Sequence, residues 1–187
     1  MSFGLGRESG GTSDRLLATV APVQTNPPEF ASDTVIRGET YRRTWLGLAD
    51  VVALRVRGLA FTESGKMLLV HGDDGFQIPG GGVESGESIP AALCRELMEE
   101  AGATIVRTRR LGTFQIDGVT NDHKDLHDFY WCHITLASDW IPPPDISERI
   151  IVRAEDFLDT LPWGRSDPSA EFLLAKALEV DASAWRA

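Results

Sequence analysis

Two cysteines, Cys94 and Cys132, in a chain of 187 residues cannot make a disulfide framework. Their scarcity agrees with a reducing compartment. Long apolar runs are missing too: no stretch approaches the roughly 20 apolar residues of a membrane span. The opening MSFGLGRESGGTSDR lacks the apolar core of a secretory signal. These absences predict a cytoplasmic protein with no membrane partner. Positive charge is short as well, with 18 Lys and Arg against 28 Asp and Glu and a net charge of −10. Such a chain has no general attraction for DNA or RNA, which argues against a nucleic-acid polymer as partner. A small phosphorylated ligand is still admissible, provided that metal ions screen the charge between the two.

What remains is the composition of a soluble globular protein, 42% hydrophobic and 25% charged. The length suits one domain with appendages. Residues 1–34 are rich in Gly, Ser, Thr and Pro with little periodicity, which predicts a flexible or extended N-terminal arm ahead of a domain over 35–187. A strand is expected at Val51–Val56, and a hairpin from GLAF and MLLVHG around Ser64-Gly65. FQIPGGG reads as a short strand entering a glycine loop. Strands follow at TIVRTRRLGTFQI, DFYWCHITL and RIIV, then helices at AEDFLDTL and AEFLLAKALEV. The order implies a mixed sheet with helices packed on it.

The stretch PGGGVESGESIPAALCRELMEEAGA is poorly designed for folding alone. Three consecutive glycines, Gly80, Gly81 and Gly82, carry a large backbone entropy. The carboxylates clustered just after them repel one another. Ser88 is a helix N-cap candidate, Pro90 fits the first turn, and Gly102 closes the helix. At about 100° per residue, Glu96, Glu99 and Glu100 share an arc of roughly 100°. Ile89, Leu93, Leu97 and Ala101 fill the neighbouring arc. A hard divalent cation such as Mg²⁺ or Mn²⁺ favours such oxygen ligands. An acidic helix is ordinarily only a solvated face. The glycine loop beside it alters that reading, because glycines let backbone approach a ligand and expose amides and carbonyls to it.

Gly81, Glu87 and Arg95-Glu96-Leu97-Met98-Glu99-Glu100-Ala101-Gly102 resemble the Nudix box at every charged and glycine position. Ala103 departs from it, standing where the family usually carries a larger aliphatic residue. The resemblance reaches over residues 50–180. It implies an α/β/α sandwich around a mixed β-sheet and a MutT-like hydrolase acting on a nucleoside diphosphate linked to another group. By position, Glu96, Glu99 and Glu100 would ligate Mg²⁺ or Mn²⁺, with a carbonyl from Gly81. Glu96 is also a candidate water activator, and Gly80, Gly81 and Gly82 would admit the diphosphate. Arg95 and Glu87 would brace loop against helix. A homodimer is a further expectation from the family. The alternative is a Nudix-fold sensor that binds a nucleotide without cleaving it, although such modules commonly lose box carboxylates and this chain retains them.

Outside the box, Asp122, His123, Asp125, His127, Asp128, Cys132 and His133 match no standard zinc spacing and read as a polar loop feeding a strand. Asp122, Asp125 and Glu148 are candidates for one more metal ligand or base. Phe76, Phe114 and Tyr130 are expected mostly in the core, and Arg107, Arg109 and Arg110 on a solvated strand edge. Cys94 and Cys132 read as packing residues. Downstream of the box stand Gly118, Val119 and Thr120, which carry no signature of ADP-ribose, diadenosine polyphosphate or coenzyme A substrates. A nucleoside triphosphate or another small nucleotide derivative is the default substrate.

Overall fold

The first hairpin starts earlier than the sequence suggests. In this computed structural model, which describes residues 29–184, β1 (Ala31–Ile36) and β2 (Glu39–Gly47) pair antiparallel. Their turn, Arg37-Gly38, has positive φ at both residues, 52° and 83°, as a tight two-residue hairpin requires. β1 lies partly inside the stretch assigned to the arm. Just before it, Phe30 stacks on Phe172 at 4.6 Å. Residues 1–28 of the expected arm lie outside the described residues.

The strand expected at Val51–Val56 is corrected. Residues 48–54 are irregular, Leu48, Val52 and Leu54 are exposed, and β3 begins at Arg55 (Arg55–Phe61). A β-branched run needs a neighbouring ladder to become a strand. β6 (Ala103–Gly118) is paired by β2. β3 joins β7 (Lys124–Leu136) only from Arg55↔His127 onward, with Leu54 N–H donating to the Leu126 carbonyl just before it. The other elements follow in the expected order. They are β4 (Met67–Gly72), β5 (Gly75–Gln77), α1 (Ile89–Ala101), β7, β8 (Glu148–Val152), α2 (Phe157–Thr160) and α3 (Pro168–Ala184). The sheet runs β1-β2-β6-β7-β3-β4-β5, with β8 also on β4. Among the described residues only β3 and β7 pair in parallel, so the sheet is mixed.

Side-chain alternation along β3 divides the interior. Val56 and Ala60 enter a core with Leu93, Leu97 and Ala101 of α1. Leu59 and Phe61 enter the opposite core, with Phe157, Leu161 and Leu173 of the C-terminal helices. Helices therefore cover both faces, giving the α/β/α arrangement. A Cβ on Gly58 would stand 2.9 Å from Leu97 Cδ1, so this glycine lets α1 lie close to the sheet. Ser88 accepts from Ala91 N–H at 3.3 Å, and Gly102, at φ 56°, donates to Leu97 and Met98 carbonyls. Both predicted caps are present. Cys132 is buried as expected, but Cys94 is exposed, because it lies off the apolar stripe of α1.

One irregularity positions the site. β3 and β4 pair only at Phe61↔Met67 and then part. The chain from Pro79 to Val83 fills the opening. Gly58 N–H donates to the Pro79 carbonyl at 2.9 Å and Val56 N–H to the Gly81 carbonyl at 2.9 Å, while Val83 N–H donates to Leu54 at 3.0 Å. The glycine loop is thus fastened to the edge of β3 by backbone bonds.

Candidate active site

Gly80 is the closest approach between loop and sheet. It has φ 136°, and a Cβ there would stand 2.2 Å from the Val56 carbonyl oxygen. Only glycine meets both conditions. Its N–H donates to Glu100 Oε2 at 2.7 Å, tying loop to helix. The next glycine is constrained less, by a side chain alone: a Cβ on Gly81 would stand 2.5 Å from Glu96 Oε1. Gly82 has open space in front of it and is exposed.

Arg95 is the hub of the box. Its Nε and Nη2 grip both oxygens of Glu87, at 3.0 and 2.9 Å, and Nη2 also reaches the Gly82 carbonyl at 2.9 Å. Nη1 donates to Glu96 Oε1 at 2.8 Å and to Glu99 Oε2 at 3.3 Å. The brace expected between Arg95 and Glu87 is present. Arg95 holds the Glu87 carboxyl below its usual range, and Glu87 first, then Glu96, hold the guanidinium more firmly protonated.

The three glutamates are not equivalent. Glu99 is exposed, while Glu96 and Glu100 are partly buried beneath the loop. Burial pushes the Glu100 carboxyl up to about 7, outweighing the Gly80 N–H and Arg57, which act the other way. Glu96 and Asp145 raise it further. Among the described residues, no three His, Cys, Asp or Glu side chains converge tightly enough to hold a metal ion. Arg95 occupies Glu96 and Glu99, and the Gly81 carbonyl already accepts from Val56. The donor chemistry nevertheless fits a hard cation. Two carboxylates share a partly buried site in which burial raises one of them to about 7, and a cation there would favour its charged form.

The remaining candidates separate. Asp122 is exposed in the β6–β7 turn. Asp125 is committed to Arg55 at 3.1 Å, to His127 at 2.9 Å and to the Leu126 N–H at 2.8 Å. Glu148 is exposed at the start of β8, paired in register with His71. After Glu96, the carboxylate whose charge bears on Glu100 is Asp145, in the loop before β8, and nothing in IPPPDIS marks it in the sequence. The segment 122–133 runs from turn into β7, and its polar side chains go to different partners. Asp128 is buried against Arg110 and Thr113, and burial pushes the Cys132 thiol up to about 12. Arg107 and Arg109 are exposed as expected, but Arg110 turns inward to Asp128.

On the α3 face lies a cavity of about 510 Å³, lined among others by Arg57, Phe76, Phe114, His127, Phe129 and Trp163. Phe114 and Tyr130 are buried as predicted, whereas Phe76 is only partly buried. Arg57 connects cavity and site. Its Nη1 donates to the Ile78 carbonyl at 2.8 Å, and its charge is felt by Glu100 and Glu96. An arginine at an inward position of the apolar run RVRGLAF is the signal that sequence reading passed over.

A glycine loop fastened to a sheet edge, facing a carboxylate-bearing helix in an α/β/α frame, defines a protein of the Nudix class. The family model of the NUDIX domain matches residues 52–172, and the chain belongs to that family. An 8-oxo-(d)GTP phosphatase of Mycolicibacterium smegmatis is 29% identical over 92 residues, which are 48% of this chain and 27% of that protein. The match therefore spans about a quarter of the relative's length. A Bacillus subtilis pyrophosphohydrolase, BsRppH, superposes with a TM-score of 0.64 at 19% identity, over 80% of this chain and 97% of its own. A NUDIX hydrolase from Nitrosomonas europaea gives 0.56 at 20% identity, over 67% and 88% of the two chains. At these identities the superpositions establish the fold.

Proposed function

We propose that this protein is a metal-dependent pyrophosphohydrolase. It cleaves a diphosphate linkage in a nucleoside triphosphate or another nucleoside diphosphate derivative by attack of water at phosphorus. The observation that carries this reading is the partly buried Glu96–Glu100 pair under the glycine loop, with Glu100 held near neutrality. Glu96, Glu99 and Glu100, with the Gly81 carbonyl, would hold Mg²⁺ or Mn²⁺. Such ions neutralise phosphate charge and lower the pKa of bound water. Glu99 is free to join them, since its side chain is exposed and its Arg95 contact is the longest of the set.

Phosphoryl substitution asks little covalent chemistry of the protein; it asks for neutralised charge and a well-aimed water. Glu96 Oε2 makes no hydrogen bond among the described residues and is assigned the water's proton. Gly80, Gly81 and Gly82 admit the diphosphate, because a side chain on either of the first two would meet strand or glutamate. Arg95 keeps loop and helix in register. In this reading the protein works in the cytoplasm, on a small nucleotide, as a homodimer.

The test is a phosphate-release screen over nucleoside triphosphates, dinucleotides and nucleotide sugars with Mg²⁺ or Mn²⁺. Turnover that vanishes with chelator and with Glu100→Gln is expected. Saturable nucleotide binding without metal-dependent turnover identifies a sensor module instead. Deleting residues 1–28 addresses the dimer: a lower mass in solution or weaker substrate binding is expected, and an unchanged mass and kinetics remove the arm from the proposal.

A further inference from the structure

Glu99 and Glu100 stand on the last turn of α1, the part of a helix that is least well held. The final carbonyls of a helix have no partner within it. Carboxylates there also face the negative end of the helix dipole and one another. The last turn of α1 carries no basic residue to offset this. Support comes instead from the segment 137–149. Gly102 N–H serves the Leu97 and Met98 carbonyls. Beyond them, Trp140 Nε1–H donates to the Glu99 carbonyl at 3.0 Å, and Arg149 Nη1 donates to the Ala101 carbonyl. Ala137 N–H donates to the Gly102 carbonyl at 2.9 Å. Arg149 Nη2 reaches back to the Ala137 carbonyl, and the guanidinium lies 4.8 Å from the centre of the Trp140 ring. A Cβ on Gly102 would stand 2.6 Å from Trp140 Cβ, so this side chain lies directly on the helix end.

We infer that Trp140 and Arg149 are positioning residues for the glutamate cluster. They cap the C-terminal turn of α1 and fix the main chain that carries Glu99 and Glu100, so that the carboxylates are set before a divalent cation arrives. Both act on backbone oxygens, Trp140 on that of Glu99 and Arg149 on that of Ala101, and the two bonds bracket Glu100. The Glu100 side chain is held from the other side by the Gly80 N–H at 2.7 Å. Without the caps the last turn can fray, and fraying carries Glu99 and Glu100 away from Glu96, one turn back. Arg149 belongs to β8 and pairs in register with Val70 of β4, so the helix end is referred to the sheet. Its charge stands where the helix dipole favours a cation. One planar guanidinium also spans two carbonyls, which a lysine ammonium on its flexible stem does less firmly. Ligands held ready in this way lose less freedom on binding.

This inference rests on the proposed function, and its test reads metal binding rather than turnover. Mn²⁺ alone is titrated calorimetrically into the full chain, and the melting temperature of the metal-free protein is recorded beside it. Trp140→Phe keeps an aromatic ring for Gly102 and Arg149 and removes the N–H. It is expected to weaken Mn²⁺ binding about tenfold, the lower end of the effect of residues that support metal ligands. Trp131→Phe is the matched control, since the Trp131 Nε1–H donates to Asp181 of α3 at 3.0 Å. It loses an equivalent bond on another helix, so it should lose stability to a similar extent and keep the parent's affinity. Arg149→Met should weaken binding as Trp140→Phe does. Arg149→Lys, which keeps the charge and one carbonyl bond, should recover part of the loss. Parent-like affinity in Trp140→Phe or in Arg149→Met overturns the inference for that residue. An equal loss in Trp131→Phe overturns it for both, because the effect then follows stability alone. Should Trp140→Phe not fold, the two Arg149 variants decide. A parent that binds no Mn²⁺ refutes the metal-dependent reading and this inference together; a parent that binds it as tightly as the variants do refutes only the capping role.

Discussion

Glu100→Gln tests the site through stability as well as through rate. A carboxyl raised from 4.5 to about 7 in the fold costs about 3 kcal/mol once ionised, at about 1.36 kcal/mol per pH unit. That figure is net, because it already contains the help from Gly80 N–H and Arg57. Below pH 4.5 both folded and unfolded chains hold the proton and no cost arises. Between pH 4.5 and 7 only the folded chain holds it, so stability falls as pH rises, and above 7 the whole cost is present. Glutamine keeps an oxygen for the Gly80 N–H and cannot ionise. In chelator at pH 8 the variant should therefore melt higher than the parent. At about 2–4 °C per kcal/mol for a chain of this size, the difference is about 6–12 °C.

At pH 5 that difference should shrink to a small fraction. Added Mg²⁺ or Mn²⁺ stabilises the parent by RT ln(1 + [L]/Kd) and the variant by less. Turnover falls by orders of magnitude, because a charge clamp on the transition state is lost. Glu84→Gln, on an exposed residue of the loop, is the control and changes neither quantity much. Melting curves over pH 5–8 with and without metal provide the measurement. A variant that melts lower at pH 8 without metal and keeps near-normal turnover would refute the reasoning, since Glu100 would then be structural.

Gly80→Ala should lose about 3 kcal/mol or more in denaturant titrations, through a φ of 136° and a methyl 2.2 Å from the Val56 oxygen. An alanine tolerated within about 0.5 kcal/mol of the parent would mean that the loop is not anchored as described. Arg95→Lys keeps the charge but not the two-pronged grip on Glu87, so kcat should fall about tenfold or more with little change in melting temperature. An unchanged kcat contradicts the bracing role. His127, held down to about 4 from 6.5, is neutral in the fold where the unfolded chain is protonated, so its contribution is intact above pH 6.5 and lost as pH falls. The loss approaches about 3 kcal/mol at pH 4. It is read in the Glu100→Gln background, where the opposing carboxyl effect is gone, and a flat profile there argues against a neutral His127.

Helix α1 was legible in the sequence because its determinants are local. The Ser88 and Gly102 caps, the Leu93–Leu97 stripe and the Arg95–Glu87 pair all lie within a few turns of one another. Residues 48–54 were not, since β-propensity says nothing about whether a neighbouring edge is free. Here the ladder with β7 begins only at Arg55. The inequality of Glu99 and Glu100 was equally hidden. They are adjacent in sequence, and only the docking of Gly80 onto β3 buries one and leaves the other in water. Arg57 and Asp145 act on Glu100 from β3 and from the loop before β8, distances in sequence that no helical period reports.

The loop joins the two sides of the sheet. Its Ile78 carbonyl is held by Arg57 from the cavity side, and its Gly80 N–H is held by Glu100 from the helix side. Two residues of extended chain separate these anchors, about 7 Å. In a chain of net charge −10, Arg57 stands at this junction against its own burial, its charge favoured by Glu100 and then Glu96. The same guanidinium lines the cavity and holds the Glu100 carboxyl lower than burial alone would leave it. One side chain of β3 thus links the cavity to the electrostatics of the glutamates.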